Sequence, residues 1–180
     1  MLLACEHSCL LIVDVQERLT PVMTDPRRVI HQGGLLIRAA ARLGLPVLAT
    51  EQYPKGLGPT MIDLRQLLPA QDILAKTHFS AASDPAVLAR VRLTGRQQIV
   101  LAGIEAHICV LQTALDLKSK GFKPFVVADA CASRRLESEQ MAWGRLRQEG
   151  VPLLSLEMVI FEWLHASTNE AFRELSALIR

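Results

Sequence analysis

Aromatic residues are scarce in this chain. Phe, Trp and Tyr together make up 4% of its 180 residues, whereas half of the residues are hydrophobic, mostly Leu, Ala, Val and Ile. This scarcity argues against a surface on which the bases of a nucleic acid would stack. The composition suits a parallel sheet covered by helices on both faces, where the core is mainly aliphatic.

A strong excess of charge of either sign is also lacking. Twenty basic residues against eighteen acidic ones give a formal net charge of +2. The basic doublets Arg27-Arg28 and Arg134-Arg135 are isolated, and we interpret each as the solvated start of a helix. A surface that follows phosphates needs a clustered basic stripe, so we expect no nucleic-acid partner.

Long apolar runs and a disulfide-rich pattern are missing as well. No run approaches the length that crosses a membrane, and the apolar start lacks the basic segment and cleavage pattern of a signal peptide. The four cysteines occur in a chain that is large enough to fold without disulfides. We therefore expect a cytoplasmic protein with reduced thiols and no membrane partner.

Three motifs of other α/β enzymes are absent from the sequence. It contains no GxGxxG after the first apolar run, no GxxxxGK[ST] and no GxSxG. These patterns mark dinucleotide sites, phosphate-binding loops and nucleophilic serines, respectively. We therefore expect no nucleotide cofactor.

Short apolar runs alternate with longer segments of 3.6-residue periodicity. The runs cover residues 9–13, 46–49, 73–75, 98–102, 124–128 and 152–155, and the periodic segments cover about 27–43, 61–68, 85–93, 107–120 and 136–149. A capping-box pattern, Ser167-x-x-Glu170, predicts a last helix over 169–179. This alternation predicts one domain over residues 1–180, a three-layer αβα Rossmann-like fold with a mainly parallel six-stranded sheet.

Reactive side chains follow several of the predicted strands. Asp14 follows the first, Lys76 the third, Cys109 lies a few residues after the fourth, and Asp129 follows the fifth. Ligands of open α/β sheets bind outside the carboxyl ends of the strands, so we expect Asp14, Lys76 and Cys109 to converge there. Spacing alone leaves two interpretations equally open: an activated nucleophile with its base, or a buried cysteine beside a structural ion pair.

Cys109 has a favourable setting for a nucleophile. It falls within the first turn of the helix predicted over 107–120, where free N–H groups and the helix dipole favour a thiolate. We expect this setting, together with Lys76, to lower the pKa of the thiol. Asp14 is then the group that takes the thiol proton.

Several stretches resemble the signature segments of the isochorismatase-like cysteine hydrolase superfamily. They are 11–16 (LIVDVQ), 75–77 (AKT) and 102–110 (AGIEAHICV), in that family's order, and the likeness extends over nearly the whole chain. Two further stretches, 50–60 (TEQYPKGLGPT) and 127–134 (VADACASR), resemble the branch called isochorismatase domain-containing proteins.

The resemblance implies a catalytic triad of Cys109, Asp14 and Lys76. Cys109 is then the nucleophile, Asp14 the general base and later the acid, and Lys76 the stabilising charge. The resemblance also implies a cis peptide between Ile104 and Glu105, which directs the N–H groups of Glu105 and Cys109 into an oxyanion hole. The implied reaction is hydrolysis of a small amide or related C–N bond through a thioester, and the implied assembly is a homo-oligomer.

Three differences from other members of the family bear on the metal, the substrate and the site that we expect. Family members that bind a metal carry Asp-x-His after the second strand, where this chain has Glu51-Gln52-Tyr53, so we expect no metal. Members that act on isochorismate lack the nucleophilic cysteine, which argues against that substrate. Ala106-His107 also stands where many relatives have Thr or Ser followed by Asp.

Other residues near the predicted site have more than one interpretation. Candidates for substrate contact are Gln16, Gln52, Tyr53, His78 and Phe79. His107 is two residues from Cys109 on a predicted helix and points away from it, so it is a poor catalytic partner. A catalytically weak fold that serves as an interaction module or thiol sensor is the alternative function.

Overall fold

The computed structural model describes residues 1–179 and contains one six-stranded sheet. Every neighbouring pair of strands is parallel, and the order across the sheet is β3-β2-β1-β4-β5-β6. The strands are β1 (Ser8–Val13), β2 (Val47–Gln52), β3 (Ile73–Lys76), β4 (Gln98–Ile104), β5 (Lys123–Ala132) and β6 (Leu153–Leu154).

Eight α-helices cover the two faces of this sheet. They are α1 (Pro26–Arg42), α2 (Pro54–Leu57), α3 (Ile62–Arg65), α4 (Pro85–Leu93), α5 (Leu111–Ser119), α6 (Leu136–Gln148), α7 (Leu156–Leu164) and α8 (Phe172–Leu178). A π-helical turn, Ala106–Val110, joins β4 to α5. The predicted three-layer α/β fold is confirmed. Within residues 1–179, no helix is long and apolar enough to cross a membrane.

The alternation of side chains along β1 explains the two cores. Leu10 and Ile12 pack among residues of α1, α3, α7 and α8 on one face of the sheet. Cys9, Leu11 and Val13 pack among residues of α4, α5 and α6 on the other. Because both faces are covered, the strand is apolar at nearly every position.

Two strands run further than the apolar runs predicted. β2 continues to Gln52, since its polar end still pairs in register with Lys76 of β3. β5 continues to Ala132 because, after a register shift, Cys131 pairs with Gly103 of β4. Asp129 therefore lies inside a strand. Its carboxylate accepts the N–H of Leu156, the first residue of α7. The prediction that Asp129 follows the strand was wrong.

Three helix boundaries also differ from the periodicity. The segment 61–68 forms only the short α3, which ends at Arg65, since Pro69 lacks the N–H that would bond the Arg65 carbonyl in a longer helix. The segment 107–120 divides into the π turn and α5. The last helix begins at Phe172 instead of residue 169, and no side chain caps it, so the capping box predicted at Ser167 does not form. The Asn169 side chain instead accepts the N–H of Ala171 in the turn that precedes the helix.

Candidate active site

The site lies where the strand order reverses, between β1 and β4. The chain winds outward from β1 to β2 and β3 on one side and from β4 to β5 and β6 on the other. Such a switch point opens a crevice at the carboxyl ends of the strands. Asp14 directly follows β1, Lys76 ends β3, and Cys109 lies in the π turn after β4.

The backbones of β1 and β4 approach each other closely where the two strands end. Gly103 pairs with Val13 in the sheet, has φ +126°, and approaches it so closely that a Cβ atom would lie 2.1 Å from the Val13 carbonyl oxygen. Only glycine fits this position without displacing β1. Asp14, the residue that follows β1, has φ 52°, a backbone conformation that aspartate tolerates better than most residues.

Asp14 and Lys76 form a completely buried ion pair. The Lys76 Nζ atom lies 2.7 Å from Asp14 Oδ2, and both side chains are 0% exposed. The other carboxylate oxygen, Oδ1, accepts the Thr50 hydroxyl at 2.7 Å. A buried charge is tolerated only when it is paired and hydrogen-bonded, and both carboxylate oxygens meet this requirement.

Lys76 has further oxygen partners that hold its ammonium group in place. Nζ donates to Gln52 Oε1 at 2.6 Å and to the backbone carbonyls of His78 at 3.0 Å and Phe79 at 3.2 Å. The segment after β3 thus folds back over its own last residue. These oxygen atoms fix the direction in which the ammonium group faces Asp14.

The Cys109 thiol is buried against the same carboxylate. Burial raises the pKa of Cys109 to about 12, with the Asp14 charge and its hydrogen bond adding to the rise, while Lys76 and the Glu105 backbone act in the opposite direction. The expectation of a lowered pKa was therefore wrong. Burial and the neighbouring carboxylate outweigh the start of the helix, which here is a π turn.

Burial also raises the pKa of the Asp14 carboxyl, whereas Lys76, Thr50 and the Cys109 thiol act to lower it. A neutral Cys109 thiol that donates a hydrogen bond to the Asp14 carboxylate agrees with the effect of each group on the pKa of the other. A carboxylate with a raised pKa is a stronger base than an ordinary one. Proton transfer from Cys109 to Asp14 therefore has a short path and an acceptor of increased basicity.

The backbone around Glu105 faces the thiol. The peptide bond between Ile104 and Glu105 is cis. The Glu105 backbone acts to lower the pKa of the Cys109 thiol, against the larger effect of burial. The Glu105 carbonyl accepts from the N–H groups on either side of Cys109, those of Ile108 at 3.0 Å and Val110 at 3.2 Å.

The proposed substrate contacts divide into two groups. Gln16 is fully buried, and its amide bonds to the backbone of Gln52 and Gly58, which leaves neither N–H for a substrate. Gln52 donates to the Thr77 carbonyl and accepts from Lys76. These contacts indicate that Gln16 and Gln52 fix the positions of neighbouring backbone segments and of the Lys76 side chain.

The other three candidates, Tyr53, His78 and Phe79, have exposed side chains. Tyr53 and Phe79 are each 57% exposed, and His78 forms an ion pair with Asp84 at 3.6 Å if its ring is protonated. Tyr53 and Lys76 line a cavity of about 360 Å³. This position leaves Tyr53 available to a ligand that approaches the buried lysine from outside.

His107 and the other cysteines make contacts of their own, apart from the Asp14–Lys76 pair. The His107 ring bonds Ser133 Oγ at 2.8 Å. Cys131 is fully buried in the core, and Cys5 to His7 form a 3₁₀ turn. Among the described residues no group of three or more His, Cys, Asp or Glu side chains is arranged to hold a metal ion.

Sequence reasoning missed Thr50 and the partners of Arg134. Thr50 pairs with Val13 across β1 and β2, so a hydroxyl residue at the end of a neighbouring strand was the available signal. Arg134 is not merely the solvated start of a helix, since its Nε and backbone N–H both bond Glu105 Oε2. No local pattern indicated that pair, which joins residues 29 positions apart.

A family model described as the isochorismatase domain matches residues 8–158 of the chain. The chain is 36% identical to isochorismatase domain-containing protein 2A of Mus musculus, over 97% of this chain and 84% of that protein. It is 35% identical to isochorismatase domain-containing protein 1 of Salmo salar, over 93% of this chain. The chain spans only 59% of the length of that salmon protein.

Solved structures resemble the whole fold. A structure described as the MAR1 ribonuclease of Caenorhabditis elegans has a TM-score of 0.92 at 35% identity, covering 99% of this chain and 92% of that one. The YcaC product of Escherichia coli, described as an octameric hydrolase of unknown specificity, has a TM-score of 0.93 at 26% identity, covering 99% and 89%. YcaC of Pseudomonas aeruginosa, described with covalent acrylamide, has a TM-score of 0.89 at 25% identity, covering 99% and 90%.

Proposed function

Because this chain belongs to the isochorismatase family, we propose that it is a cysteine-dependent hydrolase that cleaves a small amide or related C–N bond through a thioester. One observation carries the proposal: a buried Asp14–Lys76 ion pair adjoins the only thiol at the crevice among the described residues, that of Cys109. An apolar core gains nothing from two buried charges and a thiol, whereas a nucleophile with its base needs such a group.

The acylation step follows from the positions of these atoms. The Asp14 carboxylate takes the proton of the Cys109 thiol as the sulfur attacks the carbonyl carbon of the substrate. The carbonyl oxygen becomes an oxyanion, which the backbone N–H groups of Glu105 and Cys109 stabilise. Asp14 then gives the proton to the departing nitrogen, the C–N bond breaks, and the acyl group remains on sulfur as a thioester.

The second step returns the enzyme to its starting state. Water attacks the thioester carbonyl while Asp14 takes one proton from it. The C–S bond breaks, the acid product leaves, and the proton passes from Asp14 back to the sulfur. Lys76 keeps its charge throughout and offsets the negative charge that moves between carboxylate, sulfur and oxyanion.

The shape of the site supports a small substrate. Cys109 is only 5% exposed, which leaves little room for a bulky substrate. Tyr53 and Lys76 border a cavity of about 360 Å³, a size that holds a small ligand, although Cys109 is not part of its lining. Cys109 and the absence of an Asp-x-His pattern support metal-independent chemistry on a substrate other than isochorismate. The covalent acrylamide of the Pseudomonas neighbour is consistent with a reactive site of this kind.

The partners that we propose are a small-molecule substrate and further copies of this chain, in the cytoplasm, without nucleic acid. The octameric Escherichia coli neighbour supports a homo-oligomer, and so do the exposed side chains Met158 and Phe161 on α7. Light scattering should give a mass that is a multiple of 19.9 kDa. A monomer at micromolar concentration would contradict this part of the proposal.

The deciding experiment is turnover of a panel of small primary amides, with ammonia release as the readout. We expect Cys109→Ser to lower the rate by at least about a thousandfold, and Asp14→Asn by about a hundredfold or more. Cys5→Ser is the matched control, because Cys5 bonds the Trp163 carbonyl far from the crevice and should leave the rate unchanged. A single-stranded RNA belongs in the panel, given the name of the Caenorhabditis neighbour.

The alternative function is a thiol sensor or interaction module with little turnover. No observation favours it, since the complete set of Asp14, Lys76 and Cys109 exceeds what a sensor needs. Both functions allow Cys109 to react with an electrophile, so labelling alone does not distinguish them. Cleavage of RNA but of no amide, or a Cys109→Ser variant that retains full turnover, would overturn the proposal.

A further inference from the structure

A second cavity lies on the Glu105 side of the site, and its lining is basic. Its volume is about 470 Å³, and His107, Arg134, Arg135 and Ser138 line it. All of these side chains carry hydrogen-bond donors, two are permanently charged, and none is a carboxylate. The volume is in the range that holds a small ligand. The proposed acyl transfer does not use these side chains.

The wall of this cavity is held rigidly. The N–H of Ser133 donates to Glu139 Oε1 at 2.9 Å, and the same oxygen accepts the Thr24 hydroxyl at 2.7 Å. The Ser133 hydroxyl is bonded to the His107 ring at 2.8 Å. Glu139 is buried and also pairs with Arg28 at 3.6 Å. The segment that presents the two arginines therefore has little freedom to move.

The two arginines differ in their partners. Arg134 Nε bonds Glu105 Oε2 at 3.0 Å, although its side chain is 58% exposed. Arg135 is exposed and forms no ion pair with any residue in the range 1–179. Pairing with Glu105 offsets one of the two positive charges. The cavity therefore retains one uncompensated guanidinium, which is suited to a single anionic group.

Glu105 connects this cavity to the chemistry. Its backbone faces the Cys109 sulfur, and its carboxylate holds Arg134. His107 at the cavity wall is two residues from Cys109 in the same π turn. The link between the basic lining and the site therefore runs through Glu105, whose carboxylate bonds Arg134.

We propose that this cavity binds the anionic end of the substrate, so that the preferred substrates are small amides that also carry a carboxylate or phosphate. Arg135 supplies the charge that selects them, and Arg134, His107 and Ser138 supply further hydrogen bonds. This inference rests on the proposed hydrolase function for the cleavage step. The binding of an anion in the cavity does not depend on that function.

The turnover arm of the test compares succinamate with n-butyramide, which has the same number of chain carbons but no carboxylate. We expect kcat/KM to be about tenfold or more higher for succinamate, since hydrogen bonds to charged groups are worth that much. Arg135→Gln should remove this preference by lowering kcat/KM for succinamate about tenfold. Arg147→Gln is the control, because it removes the same charge from an exposed position near the other end of α6.

The binding arm uses calorimetry with succinate, and separately with inorganic phosphate, on the same variants. We expect at least one of these anions to bind the parent and the Arg147→Gln variant, and Arg135→Gln to weaken binding by about tenfold. Tighter binding of succinate than of phosphate identifies a carboxylate as the natural group. The reverse order identifies a phosphate.

The two arms separate failure of the inference from failure of the hydrolase proposal. Anion binding that depends on Arg135 without any amide turnover would retain the cavity's role and overturn the hydrolase. Turnover with no preference for succinamate and no anion binding would overturn the inference alone. The inference would also be overturned if Arg135→Gln weakened the binding of an RNA oligonucleotide and left the binding of succinate and of phosphate unchanged.

Discussion

The Asp14 carboxylate is the residue on which the protonation of the whole site depends. It accepts from Lys76, Thr50 and the Cys109 thiol, and its negative charge raises the pKa of that thiol. The Asp14 charge therefore favours a protonated Cys109 thiol in the absence of a substrate. In the proposed mechanism, the thiol loses its proton to Asp14 only as the sulfur attacks the substrate.

Asp14→Asn should therefore separate thiol acidity from turnover. Removing the negative charge leaves Lys76 as the nearest charge to Cys109, so the pKa of the thiol should fall from about 12 while turnover is lost. Thiolate absorbance near 240 nm, followed against pH, measures this. The double variant Asp14→Asn/Cys109→Ser supplies the background. A thiol pKa that is unchanged or higher in Asp14→Asn would contradict the assignment of Asp14 as its neighbour.

Gln52 is the residue whose interpretation the structure changed most. Its side-chain oxygen lies 2.6 Å from Lys76 Nζ, so it orients the ammonium group. We expect Gln52→Leu to lower kcat by about tenfold or more, since it removes a hydrogen bond to a charged group, with little change in KM. Gln66→Leu, an exposed glutamine outside the site, is the control. A raised KM at constant kcat would indicate direct contact with the substrate instead.

The proximity of Asp14, Lys76 and Cys109 was predictable from the sequence, whereas the burial and the hydrogen-bond partners of these side chains were not. Asp14, Lys76 and Cys109 each stand near a strand end in the sequence, and parallel strands bring such ends to one edge. The direction of the Cys109 pKa was not predictable, because it depends on how deeply the thiol is buried. Their assignment as catalytic residues remains a prediction.

At the scale of elements, the contact between β1 and β4 determines where the triad lies. Gly103 allows these strands to approach directly beneath Asp14, since any Cβ there would meet the Val13 backbone. Gly103→Ala should lower the free energy of unfolding by more than about 3 kcal/mol, the range of large steric disruptions. Urea unfolding measures the change.

Gly121→Ala is the matched control for this substitution. Gly121 has φ +88° but open space around its Cβ position, so alanine there should cost only about 1–2 kcal/mol, the strain of the left-handed backbone. Equal losses in the two variants would contradict the role of the close contact.

The elements themselves followed from periodicity, but their ends did not. The strands β1 and β4 are buried at every position and gave continuous apolar runs, and shorter apolar runs marked the other four strands. The polar end of β2 and the far end of β5 were missed because ladder pairing, not hydrophobicity, extends them. The π turn at Cys109 has no sequence signature distinct from that of an ordinary helix start.

At the scale of the whole molecule, buried thiols link folding to pH. Burial raises the pKa of Cys9, Cys109 and Cys131 to about 12 each, against an ordinary value of 9.0. Between these values the unfolded chain has lost protons that the folded chain retains. Stability is therefore complete below about pH 9 and falls as the pH rises toward 12.

Each of these thiols should contribute about 1.4 kcal/mol per pH unit to that fall near pH 10 to 11. Other groups also titrate there, so the test is a difference between variants. The slope of unfolding free energy against pH should be shallower by this amount in Cys131→Ala than in the parent chain. Identical slopes would contradict a buried, protonated Cys131.

The central claim is that Cys109 carries the acyl group during turnover. The measurement is the mass of the intact protein, acid-quenched during reaction with succinamate or another amide of the panel, followed by peptide mapping. We expect a mass increase equal to the acyl group on the peptide that contains Cys109. This increase should be absent from Cys109→Ser and lost on longer incubation. Turnover without an adduct in any variant, or an adduct on another residue, would contradict it.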